Sequence, residues 1–239
     1  MPGIFQEQLV QYKQVFKEAF NENHLLILGI DSKSKKNQTL KYFNSFSVYD
    51  HNLNLINSYN KINLVPFGEF LPFEKIFKKI GITTITNNYQ SYSKGKTRDI
   101  IEINQNNFSF KILPLICYEI IYSGIIFKNN DFDYIINISE DGWFGDSIGP
   151  HQHFAHSIYR AIESGKYVLR SSNNGISAIV NPLGVVEKEV SLNQSGYIDF
   201  IESKKIKSTL FSQYGNKIFA LVILLYIILI FSFNKIKNE

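Results

Sequence analysis

One cysteine, one methionine and one tryptophan are all that this chain of 239 residues holds of those three types. A lone Cys117 excludes an intrachain disulfide, and no CxxC or Cys/His spacing of a zinc site occurs. Strong charge of one sign is missing too. The formal net charge is +4, and the lysines lie scattered among Asn and Ile instead of forming a stripe. That distribution gives no footprint for a nucleic-acid groove. The first twenty residues carry charges and lack a continuous apolar core, which is not the pattern of a signal peptide. Disorder is excluded, because 44% of residues are hydrophobic and only 19% are charged. The length suits one large α/β domain or two small ones.

Periodicity gives the elements. Phe5, Leu9, Tyr12, Phe16 and Phe20 fall on one face of an amphipathic helix. The runs HLLILGID, FSFKILPLICYEI and DYIINIS read as buried strands. KYFNSFSVYD and LNLINSYNKI flank His51-Asn52 as a hairpin. Residues 151–163 read as a helix with Ile158, Ala161 and Ile162 facing inward. KYVLRSS, GISAIVN and VVEKEVS are further strands, with Asn181-Pro182 and Gly184 in the turn between the last two. Strands mixed with helices in this way predict a layered α/β domain over residues 1–209. Residues 70–95 differ: an apolar face of Leu71, Phe73, Ile76, Phe77 and Ile80 opposes Lys75, Lys78 and Lys79. They are either an ordinary surface helix and loop or a lid or arm that touches lipid.

Residues 210–239 form a separate unit. IFALVILLYIILIFSF, residues 218–233, is sixteen residues without a charge. At 1.5 Å per residue it reaches about 24 Å, short of a bilayer core of about 30 Å. Counting from Tyr214, with Lys217 snorkelling to the interface, gives about twenty residues and predicts one C-terminal transmembrane helix. The lysines of the final NKIKNE suit a cytoplasmic tail, which puts the preceding domain on the other side.

Cys117 follows an apolar run and is followed by Tyr118 and Glu119. By itself it is either buried filler or a nucleophile at a strand end. A nucleophilic thiol needs a proton acceptor and a group that steadies the oxyanion. His151, His153 and His156 cluster but match no recognised zinc or papain-like pattern, so no metal site is assigned. A Glu/Lys pair is the alternative. Lys61 ends a strand, and Glu69 follows eight residues later in a Pro-Phe-Gly-Glu turn. A lysine beside a thiolate lowers the cysteine pKa, whereas a strand-end lysine is ordinarily just solvated.

Taken in order, YNKINLVPFGEFLPF, ICYEI, GWFGDSIGPHQHF, RAIESGKYVLRSSNNGISAIVNPLG and the terminal YGN with its apolar helix resemble the apolipoprotein N-acyltransferase family, over nearly the whole chain. The resemblance implies a nitrilase-like α/β/β/α sandwich followed by one transmembrane helix, on the periplasmic side of a bacterial inner membrane. It implies a Glu-Lys-Cys triad with Cys117 as nucleophile, Lys61 as the triad lysine and Glu69 as a supporting carboxylate. Tyr118, Glu119, Trp143 and Phe144 would border the substrate, and Arg170 to Ala178 would support the site. The implied reaction moves an acyl chain from phospholipid to Cys117, then to the N-terminal amine of a diacylglyceryl-cysteine apolipoprotein, without a cofactor. The family's general-base glutamate lies in a Trp-Pro-Glu motif that this sequence lacks, since its one tryptophan is Trp143. The expectation is that Met1 lies just downstream of that motif, through a misplaced start, a split gene or a truncated copy, and that Glu7 does not replace it. An upstream chain would then be a partner, and this chain alone would be incomplete. A small-amide amidase and a non-catalytic fragment are the competing readings.

Overall fold

The computed structural model describes residues 4–36, 39–73, 79, 81, 91–105, 108–124, 131–201 and 206–237. Two sheets face each other. The first is antiparallel, in the order β1 (Leu25–Lys36), β2 (Thr39–Asp50), β3 (Leu55–Asn60). The second runs β4 (Ile101–Gln105), β5 (Phe108–Ile116), β6 (Tyr134–Glu140), β7 (Tyr167–Asn173), β8 (Ser177–Val180), β9 (Val186–Val190), with β5, β6 and β7 parallel. Phe46, Val48 and Tyr59 of the first sheet meet Ile101, Ile103, Ile112 and Ile116 of the second.

The period of two explains why FSFKILPLI is apolar almost throughout. Ile112 and Ile116 point between the sheets, while Leu113 and Leu115 face the outer helix layer with Phe154 and Ala161. The other outer layer is N-terminal. A 3-10 turn (Gln6–Tyr12) and α1 (Lys13–Ala19) lay Leu9, Phe16 and Phe20 on Leu26, Ile30 and Tyr49. The order helix, sheet, sheet, helix is the expected sandwich. Tyr12, assigned to that helix's inner face, is exposed, because the 3-10 turn changes the phase of the pattern. β1 is longer than HLLILGID suggests, since it pairs with β2 as far as Lys36 and Thr39.

The helix after β6, α2 (Gly149–Ser164), corrects one expectation. Ala161 is buried and Ile158 packs on the core, but Ile162 is 47% exposed. The buried face holds His153, Ser157, Arg160 and Ser164. Three of these bond to partners inside the protein, which offsets part of the cost of burying them.

The chain ends in a short α3 (Leu210–Tyr214) and the long α4 (Lys217–Lys237). Among the described residues, no helix is long and apolar enough to cross a membrane. The predicted transmembrane helix is therefore an apolar helix whose uncharged stretch, residues 218–233, is short of a full span. Its side chains from Phe219 to Phe233 are largely exposed, and the domain covers almost none of them. Most of the segment read as a lid, residues 74–78, 80 and 82–90, lies outside the described residues.

Candidate active site

β5 ends at Ile116 and delivers Cys117 as the first residue of a 3-10 turn (Cys117–Ile121). Cys117 sits at φ +50°, a region where a side chain costs about 1 kcal/mol or more unless its surroundings hold it. The holding group is Glu119. Its Oε2 accepts the Ile116 N–H at 3.0 Å, which fixes the entry to the turn. The half-buried thiol lies 4.0 Å from the Glu140 carbonyl oxygen.

Glu119 is fully buried. Its Oε1 accepts from the Tyr59 hydroxyl (2.7 Å), the Ile62 and Asn63 N–H groups (both 3.1 Å) and the Arg98 guanidinium (2.6 Å). Burial, then the Glu119 charge, pushes the Tyr59 phenol well above its ordinary pKa, so it stays a donor. One carboxylate thus binds the residue before Cys117 and the residue after Lys61. The two sheets, far apart in sequence, are registered on a single group.

Lys61 follows β3 and is only 1% exposed, so it is not the solvated strand-end lysine that its position suggests. Its ammonium lies 2.9 and 2.8 Å from the two Glu69 oxygens. Glu69 also accepts from Asn44 Nδ2 and the Val65 N–H, both at 2.8 Å. The backbone is pinned as well: the Lys61 N–H donates to Asn44 O, and the Gly95 N–H donates to Lys61 O. A Cβ at Gly95 would collide with the Asn60 carbonyl, so glycine is required for that approach.

A second buried polar cluster supports the turn from the other side. Asn137 Nδ2 donates to the carbonyls of Leu115 and Cys117, at 3.2 and 3.4 Å. Its Oδ1 accepts from Arg170, whose Nη2 reaches Asp141 Oδ2 at 2.7 Å. Asp141 Oδ1 accepts from His153 Nδ1 at 2.9 Å and from Ser139 Oγ at 2.7 Å. Burial alone would raise the Asp141 carboxyl. The His153 hydrogen bond and the Arg170 charge outweigh it and hold the group at about 2. These carboxylates spend their oxygens on N–H and O–H donors, which makes them poor ligands for a cation.

The remaining expected residues, Tyr118, Trp143 and Phe144, lie in the two 3-10 turns that follow β5 and β6. Tyr118 is partly exposed, with its ring 6.3 Å from those of Tyr122 and His153. The Phe144 ring lies 5.3 Å from that of His153. Trp143, 59% exposed, sits in the 3-10 turn Gly142–Phe144, three residues beyond the Glu140 carbonyl that meets the thiol. Glu119, expected beside substrate, is instead buried as the anchor of both strands. Of the Arg170–Ala178 segment, Arg170 reaches the Cys117 turn through Asn137. Sequence reasoning missed Tyr59, Arg98, Asn137 and Asp141. Arg98 lies in the polar run KGKTRD, which carries no signal of burial.

A family model described as carbon-nitrogen hydrolase matches residues 7–200. The chain is 36% identical to the apolipoprotein N-acyltransferase of Rickettsia prowazekii (strain Madrid E), over 95% of this chain and 45% of that protein. It is 40% identical to the apolipoprotein N-acyltransferase of Rickettsia bellii (strain RML369-C), over 90% of this chain and 42% of that protein. It therefore spans about half the length of the curated relatives it matches. A solved Saccharomyces cerevisiae member of branch 10 of the nitrilase superfamily shares the fold, with a TM-score of 0.52 and 16% identity over 80% of this chain and 69% of that one.

Proposed function

The chain belongs to the carbon-nitrogen hydrolase family, and on that premise we propose that it is the thiol-bearing part of an apolipoprotein N-acyltransferase. Residues 1–209 are the catalytic domain and residues 210–239 its membrane anchor. The Cys117 thiolate attacks an ester carbonyl of a phospholipid. The carbon–oxygen bond breaks, the leaving alkoxide takes up a proton as lysophospholipid, and a thioester remains. The α-amine of a diacylglyceryl-cysteine apolipoprotein then attacks that thioester. The carbon–sulfur bond breaks, an amide forms, the amine gives up a proton and the thiolate returns.

The roles follow from charge and position. The buried Lys61 ammonium, oriented by Glu69, steadies the thiolate and the tetrahedral oxyanion. Tyr118, Trp143 and Phe144 offer apolar surface to an acyl chain. By the family resemblance, the proton acceptor is a glutamate. The Ile4 carbonyl accepts the Asp31 N–H, and Phe5 bridges Asp31 in the parallel sense, so the chain at Ile4 and Phe5 runs beside β1. Lipid around α4 accounts for an apolar helix that packs on so little protein. With residues from Tyr214 onward at the interface, α4 anchors the domain on the periplasmic face of the inner membrane. A small-amide amidase would have no use for such a helix.

The observation that carries this reading is the registration of Lys61 and Cys117 on Glu119 in a chain so similar to named acyltransferases. The test uses native protein from the source membranes, exposed to phosphatidylethanolamine vesicles and digested for mass analysis. A fatty-acyl mass on the Cys117 peptide, absent in Cys117→Ala, is the expected result. An unmodified Cys117 in folded protein that hydrolyses a simple amide would overturn it.

A further inference from the structure

The turn that carries Cys117 is held at its far end by groups that play no part in the chemistry above. Arg160, buried on α2, donates from Nη1 to the carbonyls of Ile120 and Ile121, at 3.3 and 3.1 Å. Its Nη2 lies 2.7 Å from Glu163 Oε1, which also accepts from Ser123 Oγ at 2.8 Å. The Glu163 carbonyl in turn accepts from the Thr209 hydroxyl. Thr209 caps α3, accepting the Ser212 N–H at 3.0 Å. Three residues after the turn, Gly124 (φ +71°) abuts Gly215 (φ +55°), the first of the two residues between α3 and α4. A Cβ on Gly215 would stand 2.7 Å from the Gly124 carbonyl, and one on Gly124 would stand 2.5 Å from Asn216 Oδ1. The two backbones touch, and no side chain fits between them.

We propose that Arg160, Thr209 and the Gly124–Gly215 contact are a splint that joins the seat of α4 to the turn bearing Cys117, so that the bilayer around α4 sets the reactivity of the thiol. This rests on the reading that α4 lies in lipid. Cys117 holds an unfavourable φ, and its setting depends on restraint at both ends of a five-residue turn. Glu119 supplies one restraint and the splint supplies the other. A thicker or thinner bilayer around α4 changes how deeply and at what angle the helix sits, and that moves Gly215 against Gly124. Misplacement of a reacting group by about 1 Å is enough to change a rate a hundredfold. Arg160 and Thr209 are positioning residues, since neither faces the thiol.

The test measures alkylation of Cys117 by iodoacetamide, followed by peptide mass, in the full chain reconstituted in phosphatidylcholine vesicles. Thin-core dimyristoleoyl and thick-core dierucoyl lipids are compared. The wild-type rate is expected to differ about three- to tenfold between the two, the size of a typical coupling along a packed path. Thr209→Val and Arg160→Lys should lose that dependence while remaining folded by urea titration. Gly215→Ala should do the same; if it does not fold, Thr209→Val, which removes one hydroxyl and adds no volume, decides. Equal wild-type rates in the two bilayers, or folded variants that keep the full dependence, would overturn the splint. Alkylation needs no acyl donor, so a chain that shows the dependence but never forms a fatty-acyl adduct would fail the proposed function alone.

Discussion

Helices α2 and α4 invert the usual rule in opposite ways. α2 turns His153, Arg160 and Ser164 inward and leaves Tyr159 and Ile162 in the open. α4 buries almost nothing and shows Leu, Ile, Val and Phe on every side. Each inversion has its own cause. The inward groups of α2 find acceptors already waiting: the Asp141 carboxylate for His153 and two backbone carbonyls for Arg160. Among the described residues the apolar surface of α4 meets almost no partner, and an apolar face left this open marks a site of interaction. Burial follows what a side chain meets, and residue type is only a first guide to it.

The contrast can be broken most severely at the polar side. Arg170→Met strips Asp141 of its charged partner while the carboxylate stays buried. A loss of about 3–5 kcal/mol is expected, read from the urea midpoint, because one member of a buried pair is left uncompensated. Leu225→Lys, in the middle of α4, and Ile162→Ser, on the outer face of α2, sharpen the comparison from the apolar side. The first should weaken membrane association by about 3 kcal/mol in vesicle sedimentation and leave domain stability unchanged. The second should shift stability by less than about 0.5 kcal/mol, as an exposed site does. If Ile162→Ser unfolds the domain, the inward reading of that residue was right after all.

Acid tests the same buried cluster more gently. The Asp141 carboxyl is depressed from 3.8 to about 2 in the folded protein. Its stabilisation is therefore complete above pH 3.8 and drains away as pH falls towards 2. The loss is about 2 kcal/mol. Unfolding free energies of the wild type and Asp141→Asn across that window check the sign: the wild type should lose stability there and the variant should lose less.

Much of the scaffold is written in local pattern. The near-continuous apolar run before Cys117 reads as a strand buried on both faces, and β5 is one. The hairpin around His51 and Asn52 forms as β2 and β3. The site is less legible, for a physical reason. Glu119 meets Tyr59, Ile62 and Asn63 across 56 to 60 positions of sequence. No local period records such a meeting, so the residue two places after Cys117 reads as a substrate contact, whereas its oxygens are taken up in anchoring both strands. Lys61 is a similar case: a lysine at a strand end carries no mark of burial until Glu69 and Asn44 are seen around it. Ile162 fails for the opposite reason. Its hydrophobicity is real, but the phase of α2 is set by Arg160 and His153.

The shared grip of Glu119 also bears on how the protein is made. A bare carboxylate cannot be sealed between two sheets at acceptable cost, and its donors come from both of them. The sheets can close over it only when Tyr59, Ile62, Asn63, Arg98 and Ile116 have all arrived. Closure is also the moment at which Cys117 takes its strained setting and Lys61 comes into place. A newly synthesised or half-assembled chain thus lacks the turn geometry at Cys117, and any reactivity that the proposed function asks of that thiol belongs to molecules that have finished folding.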